Sequence, residues 1–157
     1  MTANSVGQVM VPVVAGANTF PDIVHVALTV TDLDRSVPWY GALFGAAADH
    51  VHDGQPIRAA VWTLPSVAVA LHEFVHQARE ESFDELRPGL DHLAFRCADR
   101  GELEAWAIRL DALGVTHSDI VDAPYGSGLS FRDPDNIALE FFALPPSPGD
   151  LSEGRNQ

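Results

Sequence analysis

The sequence HVALTVTDLDRSVPWYGALFG at residues 25–45 has the same pattern as a later segment, HLAFRCADRGELEAWAIRLDALG at residues 92–114. In both copies an alternating apolar segment leads into an amphipathic segment that ends at a glycine, which is the pattern of a β-strand followed by an α-helix. We therefore predict two copies of one strand–helix unit. The strands are expected at 23–30 and 90–97, and the helices at 33–44 and 100–113.

The segments that follow each helix also correspond. VALHEF at residues 69–74 aligns with IALEFF at residues 137–142, and this alignment places His72 opposite Glu140. Alternating apolar residues and the turn signal Asp-Pro-Asp-Asn at 133–136 indicate strands in these regions. Further strands are predicted near 46–51, 57–64 and 67–74 in the first copy and near 115–121, 128–132 and 136–142 in the second. The chain is thus predicted to be an α+β protein made of two βαβββ modules.

Length and composition limit the domain organisation. A chain of 157 residues, 46% of them hydrophobic, can build one domain whose two modules share a core. We predict an N-terminal extension at 1–20, a single domain at 21–144 and a flexible tail at 145–157. Within the domain, module one covers about 21–75 and module two about 88–144.

Charge and cysteine content exclude several classes of partner. The formal net charge is -13 and no cluster of basic residues exists, so neither nucleic acid nor an anionic membrane surface is an expected partner. The single cysteine, Cys97, precludes an internal disulfide and favours a reducing cytoplasm. No apolar run approaches the length of a membrane-spanning helix. A small-molecule substrate is the expected partner.

Four coordinating residues occupy matched positions in the two copies. His25 and His72 lie near the start and end of the first copy, and His92 and Glu140 near the start and end of the second. Because strand side chains alternate, each shares its face with small residues such as Ala27, while large apolar residues on the other face require covering helices. Three imidazoles and one carboxylate suit one divalent ion, which iron, nickel, cobalt, manganese or zinc would each satisfy.

Other side chains are candidate substrate contacts: Arg96, Trp62, Phe74, Tyr125 and Phe142. Arg96 shares a face with His92, so it would meet an anionic substrate or form a structural salt bridge. Tyr125 lies in a glycine-containing loop that could close over the site or serve as a simple turn. Trp62 would line the site or pack in the core. The remaining histidines have no counterpart in the other copy and are interpreted as surface residues: His50, His52, His76 and His117.

These segments resemble the vicinal oxygen chelate superfamily, which includes glyoxalase I, extradiol dioxygenases, methylmalonyl-CoA epimerase, fosfomycin-resistance transferases and bleomycin-binding proteins. The resemblance covers about residues 22–144 and rests on HVALTV at 25–30, DHLAF at 91–95 and FRDPDNIALE at 131–140. It implies a U-shaped mixed sheet with helices on its outer face and one divalent metal, usually in a homodimer. The family's ligand positions correspond to His25, His72, His92 and Glu140, although glyoxalase I has glutamate where this chain has His72.

The ligand set indicates the chemistry. Four protein ligands on an octahedral ion would leave two adjacent positions, where a substrate could bind through two neighbouring oxygens. This favours a metal-dependent isomerase or lyase of the glyoxalase type, with Glu140 as the catalytic base. If His72 is not a ligand, two histidines and one carboxylate would favour an extradiol dioxygenase. A metal-independent protein that binds a small molecule or antibiotic is the alternative outside the enzymes.

Overall fold

The computed structural model describes residues 22–75 and 82–145. The predicted N-terminal extension, part of the linker between the modules and all of the predicted tail except Pro145 lie outside the described residues. In the two described ranges, no helix is long and apolar enough to cross a lipid bilayer.

Module one consists of one helix and a four-stranded mixed sheet. The strand order is β1-β4-β3-β2, with β1 parallel to β4 and the other neighbours antiparallel. The helix begins where Asp32 accepts a hydrogen bond from the Arg35 backbone N–H, and it ends at Gly45, whose φ of 71° favours glycine. The elements are β1 (His25–Thr29), α1 (Leu33–Phe44), β2 (His50–Asp53), β3 (Ile57–Thr63) and β4 (Ala68–Phe74).

Module two repeats this connectivity. Its strand order is β5-β8-β7-β6, again with the first strand parallel to the last. Asp99 caps the helix by accepting a hydrogen bond from the Glu102 backbone N–H at 2.9 Å. The elements are β5 (Leu93–Cys97), α2 (Arg100–Ala112), β6 (Val121–Ala123), β7 (Gly126–Arg132) and β8 (Ala138–Ala143). The predicted α+β fold of two βαβββ modules is confirmed, with a separate four-stranded sheet in each module.

Two strands lie later in the chain than predicted. β2 begins at His50 instead of near 46, and β6 covers Val121–Ala123 instead of 115–121. The backbone N–H groups of Ala46 and Val115 donate to helix carbonyls, those of Gly41 and Leu110. These bonds satisfy the carbonyl groups at the helix ends and so keep both segments out of the neighbouring sheet.

One hydrophobic core joins the modules. The helices pack on the sheet faces that carry the large apolar residues, and those faces share a single buried cluster. The rings of Phe44 in α1 and Phe95 in β5 lie 5.9 Å apart between centroids, and Arg109 in α2 donates a hydrogen bond to the Ala42 carbonyl oxygen. The helices therefore lie in the contact between the modules, and no helix from the described parts of the chain covers the opposite face of either sheet.

A buried polar group fixes the turn between β7 and β8. Asp133 accepts hydrogen bonds from the Tyr40 hydroxyl and from the backbone N–H groups of Asp135 and Ile137, at 3.0, 2.9 and 2.7 Å. Burial raises the pKa of the Asp133 carboxyl to about 6, because the charged form loses hydration. This network holds the start of β8, and hence Glu140, in a defined position relative to α1.

Candidate metal centre

The sheet face of module two that lacks a helix, here called the site face, carries mostly small side chains. The ladder places Ala94, Glu140 and Ser130 in one row across β5, β8 and β7. The next row is Arg96, Phe142 and Gly128. Most of the large apolar residues of these strands, such as Leu129, Leu139 and Phe141, are buried on the other face. Small side chains around one carboxylate leave space above the sheet for a bound ion or ligand.

His92 and Glu140 meet on this face. His92 directly precedes β5, and its Nε2 lies 3.4 Å from Oε2 of Glu140. The His92 and Glu140 side chains are 45% and 20% exposed, so both remain accessible to an ion. They line a cavity of about 220 Å³ together with residues of β7 and β8. The two predicted ligands of module two are therefore neighbours.

The contacts of this pair suit a shared cation. Nδ1 of His92 lies 2.5 Å from Oδ1 of Asp91, and the carboxylate can only accept, so the ring proton belongs on Nδ1. With the Nδ1 proton directed at Asp91, Nε2 would be free to bind a cation together with the Glu140 carboxylate, whose Oε2 lies 3.4 Å away. Two donors that each lie ~2.1 Å from one ion are themselves separated by roughly 3.0–3.4 Å.

Gly128 makes room for the carboxylate. A Cβ atom at this position would lie 2.4 Å from Oε1 of Glu140, well inside van der Waals contact. Gly128 stands on β7 in the row next to that of Glu140. A glycine here lets the Glu140 side chain lie across the neighbouring strand towards His92.

The strand register of module one contradicts the predicted alignment of His72 with Glu140. His92 immediately precedes Leu93, which pairs with Leu139, so His92 lies level with Ala138 and two residues before Glu140. In module one His25 lies level with Ala68, and the same two-residue step leads to Ala70. Ala70, and not His72, is therefore the structural counterpart of Glu140. The alignment of His72 with Glu140 is wrong by two residues.

His72 lies two residues beyond this position on the same face. Its cross-strand neighbours are Thr29 on β1 and Ala59 on β3. Among residues 22–75 and 82–145, no three histidine, cysteine, aspartate or glutamate side chains are close enough to hold one metal ion. His25 and His72 therefore do not complete the His92–Glu140 pair within the chain.

Two histidines interpreted as surface residues belong to the same face as His72. His50 pairs with Val61, which pairs with Ala70, and His52 pairs with Ala59, which pairs with His72. Both histidines are exposed, as predicted, but they lie in β2 on the face of His25 and His72. The alternation in His-Val-His-Asp at 50–53 was the available signal, since residues two apart share a face.

Of the five predicted substrate contacts, Trp62 lies in the core and the other four lie outside it. Trp62 is wrong as a site residue: it is 2% exposed, packs in the core and donates a hydrogen bond from Nε1 to the Ala46 carbonyl oxygen. Its cross-strand partner is Val69, on the helix-covered face. Phe74 shares the face of His72, and Arg96 and Phe142 share that of Glu140. Tyr125 is 72% exposed, and its ring stacks on that of Phe142.

A family model described as the Glyoxalase/Bleomycin resistance protein/Dioxygenase superfamily matches residues 22–141. The chain belongs to this superfamily. No curated protein matches the chain. A solved glyoxylase/bleomycin resistance protein/dioxygenase domain from Frankia sp. EAN1pec is 34% identical, with a TM-score of 0.73, and the match covers 81% of this chain and 100% of that domain.

Two less similar solved structures share the fold. Lactoylglutathione lyase from Agrobacterium tumefaciens is 21% identical, with a TM-score of 0.61, and the match covers 77% of this chain and 92% of that one. A mutant of the fosfomycin resistance protein FosX from Listeria monocytogenes, complexed with Mn(II) and dihydroxypropylphosphonic acid, is 19% identical with a TM-score of 0.61, and the match covers 81% of this chain and 93% of that one.

Proposed function

We propose that this protein is a divalent-metal-dependent enzyme of the glyoxalase type, an isomerase or lyase that acts on a small molecule with two neighbouring oxygens. The observation that carries the proposal is the His92–Glu140 pair, whose Nε2 and Oε2 atoms lie 3.4 Å apart on a face of small residues. His25 is the third protein ligand of this proposal. When bound, the ion would supply Lewis-acid polarisation of the substrate oxygens.

The residues of the chain have separate roles in this proposal. Asp91 orients His92 by accepting a hydrogen bond from its Nδ1–H, as carboxylates beside metal-binding histidines commonly do. Glu140 is the one carboxylate on the site face of β5, β7 and β8. The two other carboxylates that line the same cavity, Glu85 and Asp91, contact Arg132 and His92. Glu140 is therefore the group that would accept a proton from a substrate carbon, and we assign it the role of catalytic base.

The alanine at position 70, where module two has Glu140, favours a second candidate function, that of an extradiol-type dioxygenase. With Ala70 at the counterpart of Glu140, module one provides His25 as a ligand but no carboxylate. Both candidates then use the same set of His25, His92 and Glu140, which would leave two adjacent positions for a bidentate substrate in the isomerase or lyase and a third position for dioxygen in a non-haem iron oxygenase. Metal analysis after anaerobic purification and oxygen uptake with a catechol distinguish the two candidates, since the first predicts no oxygen uptake.

Bidentate binding provides a direct test of the proposed function. Benzohydroxamate, which offers two adjacent oxygens, is expected to bind the metal-loaded protein and to lose measurable affinity after chelation of the metal. Titration calorimetry measures both states, with circular dichroism as the control that the chelated protein is folded. Equal affinity in the two states would contradict the enzyme and support a metal-independent binding protein.

The site requires a second chain in this proposal. Since the described part of one chain brings together His92 and Glu140 without His25, we assign His25 of the partner subunit to the site of a homodimer. Complementation tests this arrangement. His25→Ala and His92→Ala chains should each lack metal alone. After unfolding and refolding together, about a quarter of the sites should regain it, because half of the dimers would be mixed and each would carry one intact site.

The refolded mixture also shows which results would contradict a site shared between two subunits. Light scattering establishes whether the refolded protein is dimeric, and metal analysis counts the restored sites. A dimer whose mixture regains no metal would contradict a shared site, as would a monomer of 16.9 kDa that retains its metal.

A further inference from the structure

Arg96 lies on the site face next to the proposed metal ligands. It is an exposed residue of β5, and its cross-strand partner on β8 is Phe142, two residues beyond Glu140. Ala94 is the residue between His92 and Arg96 on this face of the strand. Because its side chain is a single methyl group, the space between His92 and Arg96 is open along the strand.

The contacts of Arg96 differ from those of the other described arginines. The chain contains no lysine and has a formal net charge of -13, so carboxylates greatly outnumber the cations. Each of the other described arginines contacts a carboxylate or a backbone carbonyl: Arg35, Arg58, Arg87, Arg100, Arg109 and Arg132. Within residues 22–75 and 82–145, Arg96 forms no ion pair, even with Glu140 in the adjacent row.

An aromatic pair lies on the same face, at the strand position opposite Arg96. The rings of Phe142 and Tyr125 stack with centroids 6.4 Å apart and an angle of 14° between their planes. Gly126 allows the Phe142 ring to lie close to β7, since a Cβ atom there would be 2.4 Å from Cζ of Phe142. The site face thus offers a flat apolar group beside one cation that has no acidic partner in the described chain.

We propose that the substrate of this site is a small planar molecule with a carboxylate, which Arg96 binds while Phe142 and Tyr125 contact the ring and the chelating oxygens reach the His92–Glu140 pair. This inference rests on the proposed function, because it assumes that the substrate binds through the metal. The guanidinium can donate two parallel hydrogen bonds to a carboxylate. Arg132 on the same face is paired with Glu85, so among the described residues Arg96 offers one unpaired positive charge, which suits a single negative charge better than the two of a phosphate monoester.

Two ligands that differ in one charge test the inference. Benzohydroxamate bearing a 4-carboxylate and its neutral 4-carboxamide analogue have the same chelating group and nearly the same shape. With Zn(II)-loaded protein, titration calorimetry is expected to show roughly tenfold tighter binding of the carboxylate, as charge-assisted hydrogen bonds predict. Arg96→Gln should abolish this preference and leave the affinity for the carboxamide unchanged.

Arg100→Gln is the matched control, because it removes the same charge from the start of α2, where Arg100 pairs with Asp122. This variant should keep the preference for the carboxylate. Equal binding of the two ligands by the unmodified protein, or loss of the preference in both variants, would overturn the role of Arg96 while metal-dependent binding stands. Failure of both ligands to bind the metal-loaded protein would overturn the proposed function and this inference with it.

Discussion

Replacement of His92 or Glu140 by alanine is expected to reduce the bound divalent ion from about one per chain to near zero, since each change removes a ligand that no neighbour replaces. His72→Ala should retain the ion, because the ladder places Ala70, and not His72, at the position that corresponds to Glu140. Elemental analysis of the purified variants after dialysis against metal-free buffer measures the stoichiometry.

The three variants together decide the ligand set. Retention of the ion in either His92→Ala or Glu140→Ala would reject the centre. Loss in His72→Ala, with unchanged thermal unfolding, would restore His72 as a ligand despite its position two residues beyond Ala70. Circular dichroism is the control in each case, so that a misfolded variant is not mistaken for one that lacks a ligand.

Trp62→Ala is expected to be the most destabilising single change among the residues considered for the site. Trp62 is 2% exposed and packs against the rings of Tyr40 and Phe44, with centroids 6.2 and 5.6 Å away. Truncation of such a residue typically lowers the free energy of unfolding by about 3–5 kcal/mol, a large part of the total of a small domain. The change also leaves the Ala46 carbonyl without the indole donor.

Phe74→Ala is the matched control for this prediction. Phe74 was also a predicted substrate contact, but it lies on the face of His72 at the end of β4 and is only partly buried. Its replacement should lower the free energy of unfolding far less than that of Trp62, as measured by urea denaturation followed by circular dichroism. Equal losses in the two variants would contradict the assignment of Trp62 to the core and of Phe74 to the helix-free face of module one.

The repeated strand–helix pattern was sufficient to predict the fold. Helix caps such as Asp32 and Asp99, the glycines that end the helices and the alternation of apolar residues are local signals, so β1, α1, β5 and α2 could be recognised from them. The two strands placed too early, β2 and β6, follow helix ends. Their boundaries depend on backbone hydrogen bonds with the preceding turn, which apolar patterning does not report.

The faces of the strands were also determined by the sequence, but their register was not. Side chains alternate with a period of two, so a shift of two residues moves every side chain along the strand and leaves each on the same face. For this reason the pattern could assign both Ala70 and His72 to one face of module one. It could not decide which of them corresponds to Glu140 in module two. That choice follows from the hydrogen-bonded ladder between β1 and β4.

Contacts between distant parts of the chain were decided by the tertiary structure alone. The sequence predicted that His92 and Glu140 are ligands, and the ladder between β5 and β8 brings Nε2 and Oε2 to 3.4 Å. It could not predict that His25 stays apart from them in the described chain, because this depends on how the modules pack through α1 and α2. Packing between modules results from the summed burial of many side chains, which no local sequence pattern encodes.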